Sequence, residues 1–149
     1  MKEKILEAFK NLGFVLEEIE DFGFDFQYEG QHYLYMNNNG DDNYLCITHP
    51  VILEDDEGSD LEIYQVMDKI NRTLKYVKAN ILRESIWLSY ERELFGDEDL
   101  NPILYSMIHR MDAGLSFLYK TIAGTDEDND TVSNGTDNDI DTNSNEDVA

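Results

Sequence analysis

The sequence predicts an α+β domain in which helices pack on an antiparallel sheet of about five strands, in the order α-β-β-β-α-β-β-α. Three observations carry that expectation. Apolar residues recur at helical spacing near the start (Ile5, Leu6, Phe9, Leu12) and again from Leu104 to Ile122. Between them, Phe22, Phe24, Phe26 and Tyr28 alternate with Gly23, Asp25 and Gln27, which is the period of a half-buried strand. The turn signals in that region, Gly30 and the run Asn37 to Asp42, leave room only for short connections, and short connections join antiparallel strands.

Each element follows from its own residues. Gly13 is a natural stop for the first helix, and Phe14-Val15-Leu16 reads as a possible further strand ahead of the meander. His32 to Met36 follows the Gly30 turn, and Tyr44 to Thr48 follows the Asn-rich run. Pro50 and the acidic run Glu54-Asp55-Asp56-Glu57 close the meander. Ser59 with Glu62 has the form of a capping box, in which each side chain satisfies a free N–H of the first helical turn. Ile63, Val66, Met67, Ile70 and Leu74 then line one face of a middle helix. A second hairpin is read at 76–82 and 86–95, around Arg83-Glu84-Ser85. Asn101-Pro102 begins the last helix, whose inner face is Leu104, Met107, Ile108, Met111, Leu115, Leu118 and Ile122. Tyr105, His109, Asp112, Ser116 and Lys120 fall on its outer face.

The 149 residues include 33 acidic and 11 basic side chains, a net charge of −22. Nine of the acids lie between Thr125 and Ala149, where there is no Lys, Arg or aromatic residue. That stretch has too little apolar surface to offset the entropy of ordering its backbone. Residues 1–124 therefore read as the folded domain and 125–149 as a disordered acidic tail. Truncation after Gly124 is expected to leave the fold standing. Without the tail, 24 acids still face 11 bases, a balance of −13. Such a charge argues against nucleic acid and anionic membrane as partners, since both are polyanions. The N-terminus lacks the apolar core of a signal peptide, and no run reaches the roughly 20 apolar residues of a membrane span. A cytoplasmic location is expected.

The residues offer little chemistry. Cys46 and His49 supply half the ligands of a structural zinc site, and no second cysteine completes it. The Asp-rich tail fails the calcium-loop pattern in both registers: from Asp126 the sixth and twelfth positions are Thr131 and Asp137, and from Asp137 they are Thr142 and Val148. No Gly-rich loop accompanies Glu54–Glu57, and no Ser or Cys sits in a nucleophile signature. The chain reads as non-enzymatic, with no cofactor and no metal.

Strand alternation supplies the more informative pattern. It assigns Phe24, Phe26, Tyr28, Leu34, Met36, Leu45, Ile47, Val77, Ala79, Ile81, Ile86 and Leu88 to the face beneath the helices. The other face collects Asp25, Gln27, Tyr33, Tyr35, Tyr44, Cys46, Lys78, Asn80, Trp87 and Ser89. Tyr33, Tyr35, Tyr44 and Trp87 are the candidate partner-binding residues, because Tyr and Trp join a large contact area to a polar handle. The same aromatics could instead stabilise a solvated sheet face by cross-strand contact.

The opening helix, the meander FDFQYEGQHYLYM, the hairpin carrying SIWLSYE and the helix from Asn101 together resemble the fold shared by type III secretion chaperones and the YbjN-like family, labelled bacterial sensory transduction regulators. The resemblance covers residues 1–124 and omits the tail. It implies a small acidic homodimer that binds extended segments of a protein client without catalysis. No functional residue of the family maps onto a defined position here. A basic client suits the charge, and binding to it should weaken with salt. A regulatory or sensory module that responds to a small ligand is the alternative.

Overall fold

The computed structural model describes residues 1–37, 40–51 and 60–124. The expected capping box at Ser59, the acidic run 54–57 and the tail lie outside these residues. The chain divides into two units, Met1–Leu118 and Tyr119–Ala149. The second contributes the last helical turn, where the Gly124 N–H donates to the Lys120 carbonyl at 2.9 Å.

Among the described residues there are three helices and one fully antiparallel sheet of six strands. In chain order they are α1 (Lys2–Asn11), β1 (Glu17–Ile19), β2 (Gly23–Tyr28), β3 (Gln31–Met36), β4 (Tyr44–Val51), α2 (Asp60–Thr73), β5 (Val77–Leu82), β6 (Ser85–Glu93) and α3 (Leu100–Ala123). Across the sheet the order is β1-β2-β3-β4-β6-β5. β6 thus runs antiparallel between β4 and β5, which are parallel to each other and joined by α2.

The strand beyond the expected five is β1, which begins at Glu17, just after the Phe14-Val15-Leu16 stretch read as a strand start, and whose three residues are all exposed. A strand so short shows no alternation to read. β4 also outruns its expected end, passing through Pro50 to Val51 and pairing with β6 to the last residue. Proline is tolerated near a strand end, where few ladder bonds are lost. α3 opens at Leu100, one residue before Asn101, and Pro102 falls in the first turn, where its missing N–H costs no intrahelical bond.

The turn between β2 and β3 sets the register of the whole meander. Glu29 and Gly30 both have positive φ, +52° and +78°, as a two-residue type I′ hairpin requires. Tyr28 consequently faces Gln31, Phe26 faces Tyr33, and Phe24 faces Tyr35. Residues paired across a ladder share a face, so β3 turns Tyr33 and Tyr35 toward the helices and Leu34 and Met36 away. This corrects the expected faces of β3. At the far end of the hairpin Gly23 has φ +144°, and a Cβ built there would stand 2.0 Å from the Tyr35 carbonyl oxygen.

The covered face can be read in rows across the strands. Tyr35, Ile47, Tyr90 and Val77 form one, His49, Leu88 and Ala79 the next, and Val51, Ile86 and Ile81 the last. α1 lays Phe9 on this face, its ring 4.9 Å from Phe26 and 5.5 Å from Tyr35. α3 crosses the same face. Its buried Leu104, Met107, Ile108, Met111, Leu115 and Leu118 match the expected inner stripe. At Gly114 a Cβ would stand 3.0 Å from Val77, so the glycine permits the close approach of α3 to β5. Full burial of each large apolar side chain here contributes roughly 1.5–3 kcal/mol.

Asp112, expected on the outer face of α3, is half-buried and accepts the Tyr33 hydroxyl at 2.9 Å. That bond allows a tyrosine in the core, because a buried hydroxyl without a partner would be costly.

Candidate functional site

With α1 and α3 on one side, the opposite side of the sheet carries no helix among the described residues. Its central row runs Asp25, Leu34, Thr48, Ser89, Lys78 from β2 to β5. Flanking pairs place Pro50 and Asn80 beside Trp87, Cys46 beside Glu91 and Tyr44 beside Glu93. Leu34, Met36, Tyr44 and Trp87 are half-buried, and Leu82 and Phe22 are about half exposed at 51% and 47%. A groove of about 360 Å³ runs along this face. Its walls are Phe22, Met36, Tyr44, Leu82 and Trp87, and its floor is Cys46, Thr48 and Ser89. Glu91 stands at one end and Arg83 near the β5–β6 turn at the other.

The polar groups of this face differ in how well they are satisfied. Tyr44 donates its hydroxyl to Glu91. Burial, followed by that bond, raises the Tyr44 pKa above the ordinary phenol value. Burial also pushes the Cys46 thiol up to about 11, which keeps it protonated and unreactive. His32 donates from Nδ1 to Asp25 at 2.9 Å and accepts from the Gln27 amide at 3.3 Å, the tautomer that satisfies both partners. Thr48 Oγ1, at the groove floor, is the one buried side-chain polar atom without a hydrogen-bond partner among the described residues.

Of the four partner-binding candidates, two stand on this face and two do not. Tyr44 and Trp87 line the groove. Tyr33 is 0% and Tyr35 5% exposed on the covered face, so neither is available to a partner as expected. The reason is the hairpin register set by Glu29-Gly30. Leu34 and Met36 take their places on the open face, a substitution that counting residues across the two-residue turn would have found. Cys46 and His49 stand three positions apart in one strand and so point to opposite faces, which rules them out as ligands of one metal. His49 is buried beside Tyr33, donates from Nδ1 to the His32 carbonyl at 2.6 Å, and has its pKa lowered chiefly by burial.

The sheet edges are each blunted. β1 is short and acidic, with Glu17 and Glu18 in its three residues. At β5 the Asn71 side chain, reaching from α2, accepts the Ala79 N–H at 2.7 Å and donates to the Ala79 carbonyl at 3.0 Å. Lys78 in turn caps α2, donating to the carbonyls of Asn71 and Leu74 at 2.9 and 2.8 Å. Occupied or charged edges resist pairing with a further strand. Nothing in the sequence pattern marks Asn71 for this role, since the contact exists only once α2 lies along β5.

No protein-family model matches the chain, and no curated protein matches it by sequence. Solved structures do match. An uncharacterized protein from Methanothermobacter thermautotrophicus superposes with a TM-score of 0.65 at 16% identity, over 83% of this chain and 97% of that one. YbjN from E. coli, a candidate transcription regulator, superposes with a TM-score of 0.62 at 9% identity, over 85% of this chain and 93% of that one. At these identities the likeness is one of architecture, and the chain has the YbjN-like α+β fold that its aromatic meander and terminal helix resemble.

Proposed function

We propose that the protein is a non-enzymatic protein-binding module whose sheet face opposite α1 and α3 is its interaction surface. One observation carries the reading: large apolar side chains, Leu34, Met36, Leu82 and Trp87, remain half-open on a face that no described element covers. A merely solvated sheet face would carry polar residues at such positions. The blunted edges favour docking across the face over strand addition. The buried Cys46 thiol, held protonated by its raised pKa, supports a role without thiol catalysis.

Peptides selected from a random displayed library on the full chain test this. They should lose binding to Leu34→Glu and keep it to Tyr64→Glu, a change on the exposed side of α2. Peptides indifferent to Leu34→Glu would sink the reading. A second copy of the chain is the rival occupant of the same face, whose aromatic and apolar composition also suits self-association. A two-chain mass in sedimentation that falls to one chain in Leu34→Glu would show that it occupies the face instead of a client. A groove of about 360 Å³ with an unpartnered hydroxyl also lies within the size range of small-ligand sites, which favours a ligand-responsive regulator as the second reading.

A further inference from the structure

The open face has a polarity of its own, and it specifies what fits the groove. Glu91 lies exposed at the Tyr44 end, and among the described residues no Lys or Arg forms an ion pair with it. Arg83, a cation, borders the opposite end. Between them runs the indole of Trp87, with the thioether of Met36 level with Cys46 and Glu91, over a floor where the Thr48 hydroxyl is more than nine-tenths buried and without a partner among the described residues. An aliphatic stem that ends in a cation matches this sequence of surfaces. Its methylenes would lie against the indole and thioether, while its head would reach Glu91 at the end farther from Arg83. The Thr48 hydroxyl would gain the hydrogen-bond partner it lacks from the backbone that carries the stem. A second copy of this strongly acidic chain would bring further negative charge to the same rim.

We infer that the groove seats an arginine or lysine side chain from an extended segment of a basic protein partner, with Glu91 as the recognising carboxylate. The inference rests on the proposed interaction face and deepens it by naming the partner's chemistry.

Trp87 is the only tryptophan in the chain, so its emission reports directly on the groove. The probes are three synthetic nonapeptides with blocked ends, alternating Val and Thr around a central Arg, citrulline or Glu. Citrulline keeps the shape of arginine and removes its charge. Titrated into the full chain, the Arg peptide should shift Trp87 emission and bind about tenfold more tightly than the citrulline peptide, with affinity falling as salt rises. Glu91→Gln should erase the difference between the two, whereas Glu3→Gln on the exposed first turn of α1 should preserve it. Equal binding of Arg and citrulline peptides, with Trp87 still responding, would overturn the cation seat and leave the interaction face standing. If no peptide binds while self-association shields Trp87 from acrylamide, the occupant is a second copy and the inference fails. Absence of both peptide binding and self-association would overturn the face and the seat together.

Discussion

On the helix side of the sheet, Tyr33 and Tyr35 are packed away, their rings stacked on Phe26 and on Phe9 and Phe24, with the Tyr33 hydroxyl given to Asp112. On the opposite side, Tyr44 and Trp87 line a groove whose floor hydroxyl has no partner among the described residues. Both faces are aromatic, so composition does not separate them. They differ in completeness: the covered face pairs the Tyr33 hydroxyl and the His49 ring internally, whereas the other leaves apolar surface and one hydroxyl without a partner among the described residues. Stability should therefore depend on the first face and association on the second.

The largest test of that contrast is Phe9→Ala. Removing the ring that α1 lays between Phe26 and Tyr35 should cost about 3–5 kcal/mol in urea unfolding. An effect below about 1 kcal/mol would show that α1 does not hold the covered face. Tyr33→Phe comes next. It keeps the packing but leaves the half-buried Asp112 without its donor, and about 1–3 kcal/mol should be lost. A neutral outcome would mean that water replaces the phenol at no cost.

A smaller, pH-dependent contrast comes from His49. Its pKa in the folded chain is lowered by burial, so the unfolded chain binds this proton more readily. Stability from this group is complete above about pH 6.5 and is lost as the pH falls below it. Melts at about pH 7.5 and pH 5 should differ less for His49→Gln than for the parent chain. An identical pH response in both would remove His49 as the cause.

The smallest expected change is in the stability of Trp87→Ser. On the open face it should cost about 1 kcal/mol or less, while groove binding is lost. A loss as large as that of Phe9→Ala would make the open face structural and erase the distinction between the two.

Much of the architecture is legible in the residues, because helices with strong stripes and strands with strict alternation leave little choice of type. The faces of β3 show where legibility stops. In Gln31-His32-Tyr33-Leu34-Tyr35-Met36 either alternate set can pass for the inner one, and hydropathy alone prefers Leu34 and Met36. The decision lies in two turn residues, Glu29 and Gly30, whose geometry outranks the preference. The Arg83-Glu84 turn is harder still, since it takes positive φ at both positions without glycine or asparagine. Asp112, Asn71 and Thr48 were beyond reach for a different reason. Their roles arise from which distant strand or helix comes to lie beside them, and no local pattern encodes that.

The place of β6 bears on how the molecule assembles. β1 to β4 form a run of neighbours along the chain, so each can dock on its predecessor as it is made. β5 has no such neighbour: it is parallel to β4 and two strand widths from it until residues 85–93 arrive to fill the gap. The sheet is thus closed by a late wedge, and β4 keeps an open side until then. A chain arrested before Ser85 would present that open side to solvent, and it would need protection there more than at any other point of its synthesis.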